Sequence, residues 1–426
     1  MATDFASREK IAAHQLAKLH GLIATLLPAN RFYAGKLSGA RVDFKSLEEF
    51  SRRIPFTTKA ELVADQSTHG PFGTNLTFPL ARYTRFHQTS GTTGSPLRWL
   101  DTPESWDSMV RSWMEVYAAA GVGAEDRIYF AFSFGPFLGF WLAFDAGQKM
   151  GALCIPGGSL NSHARVKAIL DNEATVLCCT PTYALHLAEI AGKEKFDLTK
   201  LRLKKLIVAG EPGGSIPAIR DRLEILWRGA KIFDHHGMTE VGPVTYECPK
   251  QLGILHVIES AYFAEIINPQ TGKNISTNET GELVLTTLGR TGSPLLRYRT
   301  GDLVWAAENL PCICGRFDLA LRGGILGRTD DMIIVRGVNI HPSGIEEILQ
   351  QFNDIAEFRA LVKTQNSMAE LSLEIEPKPD CQNVPILIEQ IGKKLQATFN
   401  LRIAASAVAP QTLPRFEMKA KRWIRE

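Results

Sequence analysis

The chain has 426 residues, enough for a large hydrophobic core and more than one domain, because single cores rarely grow past about 250–300 residues. Apolar residues make up 45% of the chain and charged residues 22%, which is typical of a soluble globular protein. The net charge of +3, with no basic run, argues against a nucleic-acid surface.

Membrane and secreted classes are also disfavoured. The most apolar segment, residues 129–144, is shorter than a membrane span and is interrupted by Gly135-Pro136. The first residues include Asp4 and Glu9 and no long apolar run, so we expect no signal peptide. Seven cysteines, an odd number without small-domain spacing, favour reduced thiols and a cytoplasmic protein.

Predicted helices and strands alternate through the first part of the chain. An apolar stripe predicts a helix over residues 7–27. Short apolar runs then predict strands at 129–134, 176–179, 205–209 and 231–234. Helices are predicted at 104–119, 163–171, 183–191 and 217–227. This alternation favours an α/β fold in which crossover helices cover parallel or mixed sheets.

The last hundred residues follow a different order. We predict a strand at 331–340, a helix at 343–352, strands at 357–363 and 370–376, a helix at 384–399 and a strand at 402–408. That order is typical of a small split βαβ module. We therefore place a domain boundary after residue 328, giving a large domain over 1–328 and a small lid domain over 329–426. Such a division predicts a cleft and a moving lid.

The stretch FHQTSGTTGSP at residues 86–96 is dense in hydroxyls and glycines. Such a loop can turn consecutive backbone N–H groups and hydroxyls toward phosphate oxygens. It is not a Walker A motif, since no Gly-Lys-Ser/Thr follows. A plain flexible Ser/Thr/Gly loop is the alternative.

Five further motifs follow in order. They are HGMTE at 236–240, YRTGD at 298–302, GRTDD at 327–331, RGVN at 336–339 and RFEMKAKR at 415–422. Together with the loop, they resemble the adenylate-forming superfamily of acyl-CoA synthetases and peptide-synthetase adenylation domains. IPFTTKAEL at 54–62, ATVLCCTPTYALHLAE at 174–189 and DDMIIVRGVNIHPSGIEEIL at 330–349 most resemble the phenylacetate–coenzyme A ligase branch.

The resemblance implies a reaction in two steps. A carboxylate attacks the α-phosphate of ATP, which gives an acyl-adenylate and pyrophosphate, and the thiol of coenzyme A then displaces AMP. The first step gathers negative charge, so it needs Mg²⁺ and oriented dipoles. The alternatives are an adenylating enzyme with a carrier-protein pantetheine or an amine as acceptor, and a non-catalytic nucleotide-binding scaffold. Relatives suggest a homodimer.

The resemblance also implies roles for individual residues. Glu240 would hold Mg²⁺, Thr239 would donate to the α-phosphate, and Asp302 would accept from the ribose hydroxyls. Lys419 would bring positive charge to the α-phosphate, and Asp330 would be the hinge of the lid. The remaining nucleotide-binding residues would be Ser90, Gly91, Thr92, Thr93, Gly94, Gly210, Glu211, Pro212, His236, Gly237 and Arg328, and Arg336 and Gly337 would line the path of the coenzyme A thiol.

Simpler readings exist for several of these residues. The Thr239–Glu240 pair could be a solvated cap, and Asp302 could form only an Asx-turn. Lys419 lies near other basic residues, so a solvated basic tail is the alternative to a catalytic role.

The chain departs from the family pattern in its loop. Ser95 stands where phenylacetate ligases usually have Lys, and Leu97 stands where many other members carry one. One phosphate-loop cation is therefore missing, and Arg98 is a candidate replacement. His236 stands where Tyr is commoner.

Two further groups of residues suggest binding sites. Cys248, His256, Cys312 and Cys314 make a sound tetrahedral zinc set, although ordinary free cysteines are the alternative. An aromatic run after a predicted strand matches the family's acyl pocket and suits a flat aryl acid, with core packing as the alternative. Its residues are Phe132, Phe134, Gly135, Phe137 and Trp141.

Overall fold

We describe the chain from a computed structural model. The structure describes residues 5–89, 96–275, 279–307, 311–329, 333–335, 338–340, 342–365, 368–415 and 422–425. It has a large N-terminal α/β part with a parallel and an antiparallel sheet, followed by a small α+β part with its own sheet. This confirms the predicted fold class.

Four helices open the chain, and each begins at a side-chain cap. The N-cap residues are Ser7, Asn30, Ser46 and Thr58, and each accepts a hydrogen bond from the first turn of its helix. The first helix confirms the prediction for 7–27. The four are α1 (Arg8–Leu26), α2 (Arg31–Lys36), α3 (Leu47–Arg53) and α4 (Lys59–Thr68).

A parallel five-stranded sheet lies at the centre of the large part. Its strand order is β4-β3-β5-β6-β7, and buried apolar residues fill both of its faces. A hairpin precedes it, made of β1 (Arg85–Gln88) and β2 (Arg98–Asp101). The elements of the sheet and its crossovers are α5 (Pro103–Ala119), β3 (Arg127–Phe130), α6 (Trp141–Lys149), β4 (Leu153–Pro156), α7 (Ser162–Asp171), β5 (Val176–Cys179), α8 (Pro181–Lys193), β6 (Lys205–Ala209), α9 (Pro217–Leu226) and β7 (Lys231–His235).

The predicted strands and helices of this sheet are present, but one strand was predicted to run too far along the chain. The strand predicted at 129–134 ends at Phe130. Phe134 has a φ of 51°, which no strand accommodates, so the aromatic run leaves the sheet as an irregular segment before α6.

A six-stranded antiparallel sheet packs beside the parallel one, in the order β10-β11-β15-β14-β13-β12. The sequence analysis did not locate its strands, because β13 is buried on both faces and shows no alternation of apolar and polar residues. A short hairpin, β8 (Gly237–Met238) and β9 (Gly242–Pro243), leads into this sheet. Its strands are β10 (Thr245–Glu247), β11 (Ile254–Val257), β12 (Tyr262–Ile267), β13 (Thr280–Thr287), β14 (Tyr298–Ala306) and β15 (Ala320–Arg328).

The small part is built on a four-stranded sheet in the order β20-β19-β18-β21. The single strand predicted at 331–340 is wrong. The structure has two antiparallel strands there, with Ile333 opposite Ile340, and the glycine in the intervening sequence is a breaker signal that the prediction overlooked. The elements are β16 (Ile333–Val335), β17 (Val338–Ile340), α10 (Pro342–Leu349), β18 (Ile355–Gln365), β19 (Met368–Pro377), α11 (Val384–Phe399), β20 (Ala404–Ala407) and β21 (Trp423–Arg425).

The two parts meet at a narrow cleft of roughly 50 Å³. The large part contributes α8 and α9, and the small part contributes the end of α10 and the start of β18. Arg222 Nη1 donates to Gln350 Oε1 across the junction at 3.4 Å. Across the described ranges, no helix is both long and apolar enough to cross a membrane.

Candidate active site

The site lies at the carboxyl edge of the parallel sheet, where ligands of open α/β sheets usually bind. Ala209 and His235 are paired at the ends of neighbouring strands β6 and β7. Gly210 and His236 follow them directly, so two of the predicted nucleotide segments lie side by side. Gly210 has a φ of 95°, a conformation that favours glycine, and this lets the chain turn sharply there.

Asp302 reaches this edge from the antiparallel sheet. It lies opposite Arg328 in the β14–β15 register, and Arg328 Nη1 is 2.9 Å from Asp302 Oδ1. His236 Nε2 is 3.1 Å from Asp302 Oδ2, although the two atoms are not aligned for a hydrogen bond. Asp302 is buried, so its charge is balanced by the Arg328 guanidinium rather than by bulk water. The structure thus brings three predicted residues together.

Gly301 makes room for this arrangement. Its φ is 77°, and a Cβ there would lie 2.8 Å from Arg328 Nη2. A larger residue before Asp302 would therefore push the guanidinium away from the carboxylate.

Thr239 and Glu240 form the turn between β8 and β9. The Glu240 side chain is buried, and Lys59 Nζ lies 3.4 Å from its Oε1. Tyr298 also interacts with Glu240, and burial raises the pKa of its hydroxyl well above the usual range. The carboxylate therefore has a cation and a neutral phenol beside it.

Lys59 lies beside Glu240, a placement that the sequence did not indicate. It begins α4, and Thr57, two residues earlier, forms a bridge to Tyr298 of β14. Its side chain is half exposed, at 48%, so Lys59 can contact both Glu240 and a ligand. Lys59 lies in the IPFTTKAEL segment, which carries part of the family resemblance. No spacing rule, however, connects residue 59 with residue 240.

Several predicted residues lie outside the described ranges. These are Ser90, Gly91, Thr92, Thr93, Gly94, Asp330, Arg336, Gly337 and Lys419, and their roles stay predictions. The strands on either side of residues 90–94 lie within the described ranges. They are β1 and β2, which pair with His87 opposite Trp99. His87 stacks on Trp106 at 5.2 Å, and burial lowers its pKa to about 4, so this histidine is a neutral part of the base of the hairpin.

Glu211 has a local structural partner. Its Oε1 accepts a hydrogen bond from the backbone N–H of Thr182 at 2.8 Å, in the first turn of α8. A carboxylate is stabilised at a helix N-terminus. Within the segment, the backbone of Gly210, Glu211 and Pro212 is therefore better suited than the Glu211 carboxylate to border an adenine.

The aromatic run forms one cluster beside the sheet. Phe134 packs edge-on against Trp141 at 4.9 Å and against Phe132 at 5.3 Å. Phe132 also contacts Phe137 at 6.4 Å, and Trp141 Nε1 donates to the Gly135 carbonyl at 3.0 Å. The four rings are half-buried, so the cluster combines internal packing with exposed apolar surface.

Cys248, His256, Cys312 and Cys314 come together at one end of the antiparallel sheet. Their ligand atoms all lie within 4.8 Å of one another. The two closest pairs are Cys248 Sγ with Cys312 Sγ at 3.6 Å and Cys314 Sγ with His256 Nε2 at 3.5 Å. His256 Nδ1 lies 3.2 Å from the Asp318 carbonyl oxygen. Burial raises the pKa of the Cys248 thiol to about 12 and also raises that of Cys314.

Comparisons with known proteins bear on the whole chain. Residues 87–289 match the AMP-binding enzyme family, and residues 337–426 match the AMP-binding enzyme C-terminal domain. Phenylacetate-coenzyme A ligase of Thermus thermophilus is 30% identical over 96% of this chain and 95% of its own length.

The fold of this chain is similar to that of 2-hydroxyisobutyryl-CoA ligase, which has been solved in more than one state. Its postadenylation structure with R3-HIB-AMP matches at a TM-score of 0.93 and 27% identity, covering 99% of this chain and 91% of that one. Its structure with 2-HIB-AMP and CoA in the thioesterification state matches at a TM-score of 0.75 and 28% identity over the same shares. The sequence and fold matches agree with the predicted resemblance: the chain belongs to the phenylacetate–coenzyme A ligase family of AMP-binding enzymes.

Proposed function

We propose that the protein is an AMP-forming acid–coenzyme A ligase whose substrate is an aryl carboxylic acid. Ligase activity follows from membership of the family. The preference for an aryl acid goes beyond the family and is what we propose here. The observation that carries the proposal is the meeting of Asp302, Arg328 and His236 with the Glu240 turn at the edge of the parallel sheet. Acidic and basic side chains there suit the hydroxyls and phosphates of a nucleotide.

In the adenylation step, these residues position ATP and offset its charge. Asp302 would accept hydrogen bonds from the two ribose hydroxyls, while Arg328 holds its carboxylate in position. Glu240 offers the hard oxygen ligand that Mg²⁺ prefers, and Lys59 beside it maintains local neutrality. Mg²⁺, when bound, would offset the charge of the phosphate oxygens. Lys59 can also reach toward phosphates, which would supply the charge that Ser95 does not.

The aromatic cluster is the proposed site for the tail of the acid. Half-buried rings with edge-to-face contacts can accept another flat ring at little cost in polar desolvation. The positive φ of Phe134 holds its ring between those of Phe132 and Trp141. These features support an aryl acid over a short hydroxy acid.

The thioester step would require the small domain to turn about Asp330. Arg336 and Gly337 would then line the path of the coenzyme A thiol, and Lys419 would act only in the adenylating arrangement. The chain matches the postadenylation structure better than the thioesterification structure. This difference supports a placement of the small part close to that of the postadenylation state.

The Cys/His cluster is proposed as a structural zinc site. In a tetrahedral site with Zn–S bonds of about 2.3 Å, neighbouring sulfurs lie roughly 3.8 Å apart, close to the Cys248–Cys312 spacing. The contact between His256 Nδ1 and a backbone carbonyl would leave Nε2 free to bind the metal, a usual arrangement around zinc histidines. Zinc would also lower the pKa of thiols that burial otherwise keeps protonated.

Pyrophosphate release tests the function. Purified protein is given ATP, Mg²⁺ and a panel of aryl and alkyl acids, with and without coenzyme A. We expect pyrophosphate release that depends on an aryl acid. We expect multiple turnovers only when coenzyme A is present. Turnover without coenzyme A would instead favour a carrier-protein or amine acceptor.

A cytoplasmic location and a homodimer also stay proposals, and light scattering after size exclusion would test the dimer.

A further inference from the structure

A buried arginine holds the turn that carries Thr239 and Glu240. Arg290 Nη1 donates to the carbonyl oxygens of Thr239 at 2.8 Å and of Glu240 at 2.9 Å. The strands on either side of this turn have only two residues each, so regular pairing contributes little to its shape. The guanidinium therefore helps to fix the point from which the Glu240 side chain projects.

Asp101 holds Arg290 from the other side. Arg290 Nε donates to Asp101 Oδ1 at 2.7 Å, and Nη2 donates to Oδ2 at 2.6 Å. The two side chains are 1% and 0% exposed, and the guanidinium lies over the Trp99 ring at 5.4 Å. A bidentate pair of this kind fixes the direction of the arginine as well as its charge. Its remaining donors can then be aimed at the two carbonyls.

The pair joins two parts of the candidate active site. Asp101 is the last residue of β2, which with β1 flanks the Ser/Thr/Gly segment. Beside it, Ser293 Oγ donates to the Leu100 carbonyl at 2.7 Å, and Gly292 N donates to Ser105 Oγ at 3.0 Å. The Arg290 segment is thus docked on the base of the hairpin while its guanidinium reaches the Glu240 turn.

We propose that Arg290 and Asp101 are positioning residues for adenylation. They hold Thr239 and Glu240 in a fixed position relative to the β2 strand of the hairpin. The inference rests on the proposed function, in which Glu240 binds Mg²⁺ and residues 90–94 bind phosphate. A buried ion pair that serves stability alone is the alternative.

The chain offers a matched control in a second buried pair. Arg297 makes bidentate bonds of 2.9 Å to both oxygens of Glu265, and the two side chains are 7% and 2% exposed. Its Nη1 donates to the Ile54 carbonyl at 2.7 Å. Arg297→Lys therefore disturbs a similar buried pair whose arginine bonds elsewhere than the Glu240 turn.

The test compares Arg290→Lys with Arg297→Lys in both half-reactions. A lysine keeps the charge, but its single ammonium cannot reproduce the bidentate pair with Asp101 and also donate to both carbonyls. For Arg290→Lys we expect acid-dependent pyrophosphate release to slow by roughly 10- to 100-fold and the Mg²⁺ requirement to rise about fivefold. Thioester formation from supplied acyl-adenylate should stay within about twofold of wild type. Arg297→Lys should leave the Mg²⁺ requirement unchanged.

An unchanged Mg²⁺ requirement in Arg290→Lys, or an equal loss in both half-reactions, would overturn the proposal. Asp101→Asn, which keeps the side-chain shape, should shift the Mg²⁺ requirement in the same direction and serves if Arg290→Lys does not fold. Hydrogen exchange of residues 237–243 needs no activity, and it should be faster in Arg290→Lys than in Arg297→Lys; equal rates would contradict the inference. Wild-type protein without acid-dependent release would count against the proposed function, while the exchange comparison would still decide the positioning role.

Discussion

Asp302 is the residue whose surroundings most clearly suggest contact with a nucleotide. Its buried carboxylate has Arg328 and His236 beside it, yet carboxylate oxygens have several acceptor positions each. Two ribose hydroxyls could therefore bind without displacing Arg328. Burial makes such hydrogen bonds stronger than they would be at the surface.

Replacing Asp302 should weaken ATP binding. A hydrogen bond to a charged group contributes roughly 1.5–3 kcal/mol, so Asp302→Ala should raise the dissociation constant for ATP by about 10- to 100-fold. Asp302→Asn keeps the shape and one acceptor and should lose less. Isothermal titration calorimetry measures both, and unchanged affinity in Asp302→Ala would remove this residue from the ribose site.

Lys59 should matter for adenylation and not for thioester formation. Removing one preorganised cation from a site of developing negative charge should slow acid-dependent pyrophosphate release roughly 10- to 100-fold in Lys59→Met. Conversion of supplied acyl-adenylate should persist. Lys167→Met, at a lysine paired with Asp171 on an exposed helix face, is the matched control. A similar slowing in both variants would argue against a phosphate role.

The residues of the site were predictable to different degrees. Glu240 and Asp302 lie in short motifs that resemble those of the adenylate-forming superfamily, so the resemblance pointed to them. Lys59 and Arg290 contact partners about 180 and 50 residues away, and only the folded chain brings those partners together. No local pattern encodes such a contact.

At the scale of the element, strands with a simple pattern were the predictable ones. The crossover strands β5 and β6 are short apolar runs between amphipathic helices, and their bounds match the predictions. The antiparallel strand β13 is buried on both faces, so its sequence carries no period-two signal. The strand pair β16–β17 was read as one strand because apolar residues stand on both sides of the intervening glycine.

The Cys/His cluster should stabilise the elements that it connects. It joins β10 and β11 to the segment before β15, which are separated by more than fifty residues. We expect about one zinc per chain by elemental analysis of untagged protein. Cys312→Ser should lose the metal and lower the melting temperature, whereas Cys381→Ser, at a thiol outside the cluster, should do neither. Metal-free wild-type protein with an unchanged melting temperature after chelation would rule out the site.

At the scale of the whole molecule, the junction of the two parts contains a carboxyl group with an unusual pKa. Burial raises the pKa of Glu346 on α10 from 4.5 to about 7, and Glu211 and Glu357 add to the rise while Arg422 and a hydrogen bond from Trp423 oppose it. Glu211 belongs to the large part. The group therefore holds its proton more tightly when the parts are docked than when it faces water.

Docking of the small part should weaken as the pH rises. The part of the pKa rise that comes from burial against the large part and from Glu211 favours the docked arrangement at low pH, and this contribution is lost as the pH rises through about 7. Small-angle scattering of ligand-free protein between pH 5 and 8 should show a growing radius of gyration. Glu346→Gln, which cannot ionise, should remove the trend, and a trend that persists in this variant would assign it to other groups.

The central claim is that one carboxylate oxygen becomes bonded to the α-phosphorus of ATP before the thiol reacts. An acid labelled with ¹⁸O in both carboxylate oxygens tests this directly, with mass spectrometry of the products after one turnover with ATP and coenzyme A. We expect one ¹⁸O in AMP and one in the acyl-CoA, because the bridging oxygen leaves with AMP. Label in inorganic phosphate or pyrophosphate, or acyl-CoA formed alongside unlabelled AMP, would contradict it.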